Sequence, residues 1–175
     1  MSCSLTEGRK LPKKNSVGGL KAVYFADYGT LDANIVAGEI TSLGTPEFFK
    51  YEIKGSSSLE SQINSSREAG TTFYTQTLNL TLTALDRETQ EQVKLLSATR
   101  PHVAVEDYNG NFFLVGLENG AEVTGGTIAT GAAMGDMSGF TLTFEAMEKA
   151  PANFTVASAI TDNVSSEQID PTPCA

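Results

Sequence analysis

The chain has 175 residues, 12 of them Lys or Arg and 21 Asp or Glu, which gives a formal net charge of −9 at pH 7. This length is sufficient for one domain with a single hydrophobic core. Because it contains no run of about eighteen apolar residues and no charged-then-apolar leader, we expect neither a membrane-spanning helix nor secretion.

The first predicted element is a basic N-terminal arm, residues 1–17. Residues 1–21 carry five basic side chains and one acidic one, whereas the rest of the chain carries seven basic and twenty acidic ones. The acidic body opposes nucleic-acid binding, because attachment to phosphates requires Lys and Arg. The arm is predicted to dock on a neighbouring copy of the chain, with simple solvation as the alternative. Its candidate contact residues are Arg9, Lys10, Lys13 and Lys14.

Three short strands are predicted next. Residues 20–25 form a compact β-rich run that ends at a turn signal in residues 27–29. A short strand is predicted around Ile35 and Val36 inside a loop, and a third strand at residues 48–54, which stops at Gly55.

Residues 57–66 and 71–83 predict a long β-hairpin with its turn at residues 67–70. Leucines alternate strictly with Thr and Asn at the end of the second strand, which is typical of a strand with one buried face. Thirteen extended residues span about 43 Å, whereas a common strand covers about 17–20 Å.

The distal half of this hairpin, from about Leu59 to Gln76, is mostly Ser, Thr, Asn and Gln. A polar two-stranded ribbon is barely stable alone in water. We therefore predict that it protrudes and is completed by another subunit, with a strand that folds back over its own domain as the alternative. The candidate contact residues are Thr72, Phe73, Tyr74 and Gln76.

One helix is predicted, from Asp86 to about Thr99. Asp86 is a good N-cap, acidic residues follow in the first turns, and Val93, Leu95 and Leu96 supply an apolar side. Pro101 ends the helix, because proline cannot donate the next helical hydrogen bond.

The remaining predicted strands follow the helix. Residues 102–106 and 111–115 flank an Asn-Gly pair, a strong hairpin signal. A short strand near residues 121–124 and a strand at 140–147 flank a glycine-rich stretch, residues 125–139. Pro151 is expected to end the regular structure, and residues 156–175 to form a polar C-terminal tail.

The glycine-rich stretch does not match a phosphate-binding loop. No Lys or Arg lies between Gly116 and Lys149, and a strand follows the glycines where a nucleotide site requires a helix N-terminus. We expect a flexible connection between strands, which either packs against a neighbouring subunit or stays a surface loop.

The sequence also lacks the usual signatures of an enzyme or of a metal site. His102 is the single histidine and is expected to be structural, while Cys3 and Cys174 are expected to be unpaired thiols. The acidic pairs Glu106/Asp107 and Glu145/Glu148 fall on opposite strand faces, so we expect solvated carboxylates. We predict no catalytic residues, no cofactor and no metal.

These elements predict a mainly β protein: an antiparallel β-sandwich or barrel with one flanking α-helix, a long protruding β-hairpin and extended terminal arms. The domain is predicted to span residues 18–155, between the basic arm and the polar tail.

In layout, the chain resembles a bacteriophage tail tube (major tail) protein or a closely related virion tail component. The resemblance covers roughly residues 18–154. It rests on four sequence blocks that follow one another in the chain, with the predicted helix between the second and the third: VGGLKAVYFADYG, YEIKGSSSLESQINSSREAGTTFYTQTLNLTL, RPHVAVEDYNGNFFLVGLENGAEVTGG and MSGFTLTFEAMEKAPANF.

The resemblance implies a sandwich that closes into hexameric rings, which stack through hairpins and arms into a tube that DNA crosses during ejection. It implies the chain itself and other tail proteins as partners, assembly in the bacterial host cytoplasm and a place in the virion tail. No membrane anchor and no specific DNA binding are expected. The alternative is an adhesin-type or immunoglobulin-like sandwich that recognises a glycan or a surface protein, with Tyr28 and Tyr108 as its candidate contact residues.

Overall fold

The computed structural model describes residues 4–53 and 56–169. These residues form a mainly β structure with two sheets and two helices, and the sheets do not close into a barrel. The strands are β1 (Leu20–Ala26), β2 (Asn34–Val36), β3 (Glu39–Ser42), β4 (Phe49–Glu52), β5 (Ser58–Ser66), β6 (Thr71–Thr83), β7 (His102–Asp107), β8 (Phe112–Val115), β9 (Glu122–Ala129), β10 (Gly139–Glu148) and β11 (Asn153–Thr155), and the helices are α1 (Arg87–Ala98) and α2 (Ala157–Thr161).

The strands are divided between a seven-stranded and a four-stranded sheet. The larger sheet has the order β2-β3-β11-β8-β7-β1-β4, and the smaller has the order β5-β6-β10-β9. All pairs are antiparallel except β11 with β3. The barrel alternative is therefore wrong, and each sheet has two edges.

Side chains from both sheets share one hydrophobic core. The rings of Phe25 in β1 and Phe144 in β10 lie 5.4 Å apart, so the two sheets touch directly. Each such buried side chain contributes about 1.5–3 kcal/mol by leaving water. The same cluster contains Val23, Val103 and Val105 from the larger sheet and Leu78, Leu80, Leu82, Phe140 and Leu142 from the smaller one.

A second apolar cluster covers the opposite face of the seven-stranded sheet. Consecutive residues of β1, such as Val23 and Tyr24, enter different clusters because successive side chains point to opposite faces. This two-sided burial explains why β1 is almost continuously apolar. The second cluster includes Ile40, Leu43, Phe48, Leu114 and Ile160.

Regular structure does not end at Pro151 as predicted, and part of the segment predicted to be a polar C-terminal tail is buried. Residues 153–155 form β11 between β3 and β8, and Ile160 of α2 is completely buried. Val164 then pairs with Phe48 in an isolated bridge. These apolar positions are too few to show a period in the sequence, and their partners lie far away along the chain. The prediction of a single helix is also wrong, since α2 is a second one.

Several local predictions are confirmed. Helix α1 begins where expected, with the Asp86 side chain accepting hydrogen bonds from the N–H groups of Glu88 and Thr89 at 3.0 and 3.1 Å. The Asn-Gly pair lies in the turn between β7 and β8, where Gly110 has a φ of 84°, a conformation that favours glycine. The strand predicted at 140–147 is β10.

The glycine-rich stretch is partly strand. Residues 125–129 belong to β9, which pairs with β10, so the connection is limited to residues 130–138. In it, the Asp136 carboxylate accepts hydrogen bonds from the N–H groups of Ala133 and Ala132 at 2.8 and 3.0 Å. These bonds lower the pKa of Asp136. The loop therefore has a defined local structure.

Cys3, Cys174 and the end of the predicted tail lie outside the described residues, as does the end of the strand predicted at 48–54. Neither helix in the described part of the chain has the length and apolarity needed to cross a bilayer.

Candidate functional site

The hairpin of β5 and β6 extends past the sheet that supports it. β5 pairs with β6 from Ser58 opposite Asn79 to Ser66 opposite Thr71. On its other side, β6 pairs with β10 only as far as Tyr74. Residues 64–73 are therefore a two-stranded end, shorter than the distal half predicted from the sequence.

Residues 63–74, which we call the hairpin tip, combine exposed polar and apolar side chains. Thr72 is exposed and its hydroxyl lies 3.1 Å from that of Ser65, while the Phe73 side chain is 39% exposed. Tyr74 is half-buried opposite Ile63, which is 66% exposed. Ile63 lies on the face of β5 that carries Leu59 into the core, so this face continues past the end of the core without a cover. Ile63 was not among the contact residues predicted from the sequence, although its alternation with Leu59 was the available signal.

Gln76 does not belong to this surface, contrary to the sequence-based choice. It is 2% exposed, its Oε1 accepts a hydrogen bond from the N–H of Gly116 at 3.1 Å, and its Nε2 donates to the carbonyl of Ala150 at 3.0 Å. Both ends of the amide are therefore satisfied within the chain. The sequence placed Gln76 in the polar half of the hairpin, where only the tertiary structure could supply its partners.

A buried polar network continues from Gln76 to His102. The His102 Nδ1 lies 2.6 Å from the Gly116 carbonyl, and its Nε2 accepts a hydrogen bond from the N–H of Gly29 at 3.2 Å. This geometry corresponds to a neutral ring that donates from Nδ1. Burial lowers the pKa of His102, against opposing effects of the Gly116 hydrogen bond and the charge of Glu148. These contacts assign His102 a structural role.

The expectation of solvated carboxylates is wrong for two glutamates. Glu148 is 6% exposed and accepts hydrogen bonds from the N–H groups of Glu118 and Asn119 at 3.2 and 2.8 Å. Glu106 accepts a hydrogen bond from the Tyr24 hydroxyl at 3.1 Å. Burial, followed by the charge of Glu106, raises the pKa of Tyr24. The prediction that Glu145 and Glu148 point to opposite faces is confirmed by their burial.

The basic arm leaves the body beside the first residues of β5. Residues 4–19 are all exposed, including the candidates Arg9, Lys10, Lys13 and Lys14. Asn109 fixes the root of the arm, because its Oδ1 accepts from the N–H of Val17 at 3.0 Å and its Nδ2 donates to the Val17 carbonyl at 2.7 Å. Val17 and Leu59 line one cavity of about 310 Å³, so the roots of the arm and of the hairpin adjoin.

A row of glutamates crosses the outward face of the four-stranded sheet. Glu60 of β5 lies opposite Thr77 of β6. On the other side of β6, Thr77 lies opposite Glu145 of β10. Glu145 in turn lies opposite Glu122 of β9. Cross-strand partners share a face, and the next row, which contains Leu78 and Phe144, faces the core. The pairing of like charges at Glu145 and Glu122 opposes folding.

This outward face carries no positive charge. β5, β6, β9 and β10 contain no Lys or Arg. The other outward side chains are mostly Ser, Thr, Asn and Gln, with Phe73, Ala129 and Met147 as apolar exceptions. The sequence contained these glutamates, but only the strand register aligns them, since a slip of one residue would move each to the other face.

Both edges of this sheet are open among the described residues. β5 pairs with β6 alone and β9 pairs with β10 alone. An edge strand presents N–H and C=O groups without ladder partners, which can pair with another chain. Most residues of the two edge strands are exposed.

The two tyrosines considered for a binding module are engaged within the chain. Tyr28 stacks on the His102 ring with 5.2 Å between centroids and lies 4.1 Å below the Arg100 guanidinium. The Tyr108 ring lies beside Gly19, where an added Cβ would come within 3.3 Å of it. Both tyrosines nevertheless keep exposed surface, at 44% for Tyr28 and 46% for Tyr108.

The described residues contain no group of three or more His, Cys, Asp or Glu placed to hold a metal ion. No protein-family model, curated protein or solved structure matches the chain.

Proposed function

We propose that this chain is a structural virion protein that self-assembles into stacked rings and forms a bacteriophage tail tube. In this proposal the two sheets are the layers of a β-sandwich. The outward face of the four-stranded sheet lines an acidic conduit for DNA. The observation that carries the proposal is this sheet, which combines two open edges with a face that bears glutamates and no Lys or Arg.

The open edges support ring closure. β5 and β9 run in opposite directions, because each neighbouring pair in the order β5-β6-β10-β9 is antiparallel. In a ring whose axis runs parallel to the strands, rotation from one copy to the next preserves these directions. β5 of one copy therefore meets β9 of the next in antiparallel pairing. A heterologous contact of this kind forms a closed ring when its rotation closes.

The charge of the face supports passage of DNA without retention. Phosphates attach to proteins through Lys and Arg and are repelled by carboxylates. The row of Glu60, Glu145 and Glu122 would repeat in every copy around the ring. The unfavourable pairing of Glu145 with Glu122 is consistent with a face whose charge serves a function other than stability.

The hairpin tip and the arm supply contacts between rings in this proposal. Phe73 and Ile63 leave apolar surface exposed at the tip, and the basic arm opposes the charge of the acidic body. Six subunits per ring, assembly in the host cytoplasm and a place in the virion tail follow from the resemblance to tail tube proteins.

Disulfide trapping of the sheet edges tests the proposal. In a chain with Cys3→Ser and Cys174→Ser, Thr127→Cys in β9 is combined in turn with Glu60→Cys, Gln62→Cys or Asn64→Cys in β5. These four positions share the outward face, so one register of the edge contact brings a pair together. Mild oxidation should produce a ladder of linked chains that ends at a closed ring, seen by electrophoresis and by negative-stain imaging.

The matched control replaces the β5 cysteine with Lys50→Cys on β4, an edge of the other sheet, and should give no ladder. A strictly monomeric protein at high concentration, without linked chains for any of the three pairs, would contradict the proposal.

A further inference from the structure

A groove lies between β4, an edge of the seven-stranded sheet, and α1, and residues 166–169 form part of its lining. It encloses about 720 Å³. Its apolar lining comes from Phe49, Tyr51, Leu82 and Ile169; Leu82 is 9% and Phe49 37% exposed, and burial raises the pKa of Tyr51. Apolar side chains therefore form much of the floor.

The charged lining of this groove is mainly acidic. Glu52, Glu88 and Glu167 line it, with Lys50 as the opposing cation. The Glu52 side chain is 75% exposed and lies 3.8 Å from the Lys50 ammonium, while Glu88 and Glu167 are also exposed. The groove thus combines an apolar floor with a rim that attracts cations.

The N-terminal arm has the complementary pattern. Leu11 is 96% exposed and is flanked by Lys10 on one side and by Lys13 and Lys14 on the other. A fully exposed leucine between basic residues matches an apolar floor with acidic edges. Pro12 keeps this part of the arm out of a helix and favours an extended course.

We propose that the groove between β4 and α1 binds the basic N-terminal arm of a second copy, with Leu11 on the apolar floor and the lysines beside Glu88 and Glu52. The inference rests on the proposed self-assembly, since it supplies one of the contacts between copies. The acidic bodies of two copies repel each other, and a basic segment that crosses from one to the other offsets this repulsion.

The open edge of β4 adds a second mode of attachment. β4 pairs with β1 alone among the described strands. The outer N–H and C=O of Phe48, just before β4, already bond to Asn163 and Ser165, so an extended segment in the groove can pair only with the outer groups further along β4 while Leu11 contacts the floor. Main-chain pairing contributes affinity, and the charges select the basic segment.

The test uses full-length chains with Cys3→Ser and Cys174→Ser. One carries Leu11→Cys in the arm, and the other, with a different tag, carries Gln92→Cys in the groove lining. Only a contact between copies links the two tags through a disulfide. We expect the linked species to form rapidly and its yield to fall with added salt, since the contact is partly electrostatic.

Charge reversal provides the matched comparison. Glu88→Lys should reduce the linked yield about fivefold, and Lys13→Glu with Lys14→Glu in the arm chain should do the same. Glu91→Lys makes the same charge change on α1 outside the groove lining and should change the yield less than about twofold. Combining the reversed arm with the reversed groove should restore the link.

Equal effects of Glu88→Lys and Glu91→Lys, or no link between the tags, would overturn the docking proposal. The edge cysteines of β5 and β9 report independently on ring formation. Rings that form without the arm link would contradict the docking proposal and support the proposed function. An arm link without edge links would support the docking proposal and contradict ring formation through β5 and β9.

Discussion

Gln76 and Gly116 are joined by a hydrogen bond of 3.1 Å between the side-chain Oε1 and the backbone N–H, although 40 positions separate them in the chain. The same amide donates to the carbonyl of Ala150. One buried side chain thus fixes β6 to two loops just before the point where the hairpin loses the support of β10.

Replacing Gln76 by Leu should therefore destabilise the fold by about 1–3 kcal/mol, because the buried N–H of Gly116 is left without a partner and the part-buried carbonyl of Ala150 loses one. Urea unfolding measures this free energy. Thr72→Ala on the exposed tip is the control and should stay within about 0.5 kcal/mol. If Q76L were as stable as the control, the Gln76 amide would not be what holds β6 to the two loops.

Gly126 and Gly125 are adjacent glycines with different surroundings. A Cβ on Gly126 would lie 2.3 Å from the carbonyl oxygen of Thr141 in β10, whereas one on Gly125 would have no neighbour within 4 Å. Gly126→Ala should cost about 2–3 kcal/mol by forcing β9 away from β10. Gly125→Ala should be neutral or slightly stabilising. Thermal unfolding of the two variants compares them directly, and equal midpoints would contradict the close approach.

The buried ring of His102 makes stability depend on pH. Its pKa is lowered in the folded chain, chiefly by burial, so the unfolded chain binds the proton more readily. The free energy of unfolding should therefore decrease as pH falls below the unfolded-state value of about 6.5, until the folded protein also binds the proton.

Urea midpoints at about pH 7.5 and pH 5.5 check this dependence. His102→Gln removes the titrating group, so the variant, although less stable overall, should show a smaller change between the two pH values. An equal change in both proteins would assign the pH dependence to other groups.

The outward glutamates are expected to control DNA retention. Glu60→Lys with Glu145→Lys should leave the fold intact, because neither carboxylate has a partner in the buried core. It should create DNA binding that weakens steeply with salt. Electrophoretic mobility at two salt concentrations measures this, with Glu68→Lys and Glu91→Lys together as a control of equal charge. If the control bound DNA equally well, net charge and not the face would be responsible.

The sequence predicted those elements whose signals are local. Asp86 capped α1 as expected, and the alternation of Leu78, Leu80 and Leu82 placed β6 correctly. β3, β11 and α2 were missed because each is at most five residues long and is held by partners remote in sequence. Gly125 and Gly126 have weak strand propensity, yet pairing with β10 makes them part of β9.

The candidate site was predictable only in part. The polarity of the hairpin identified the tip, including Thr72 and Phe73, but could not separate them from Gln76, whose partners come from two distant loops. Ile63 was visible as an apolar residue in alternation with Leu59, although nothing in the sequence indicated that the core ends before it.

Composition, alternation and capping by themselves determined that this chain is mainly β, that it contains one long hairpin and that a basic segment precedes an acidic body, because these properties depend on residues close together in sequence. The tertiary structure alone decided that Glu60, Glu145 and Glu122 form one row, that Glu148 and Gln76 are buried and that β5 and β9 are edges. Register and strand order depend on contacts between distant segments, and a shift of one residue inverts every face.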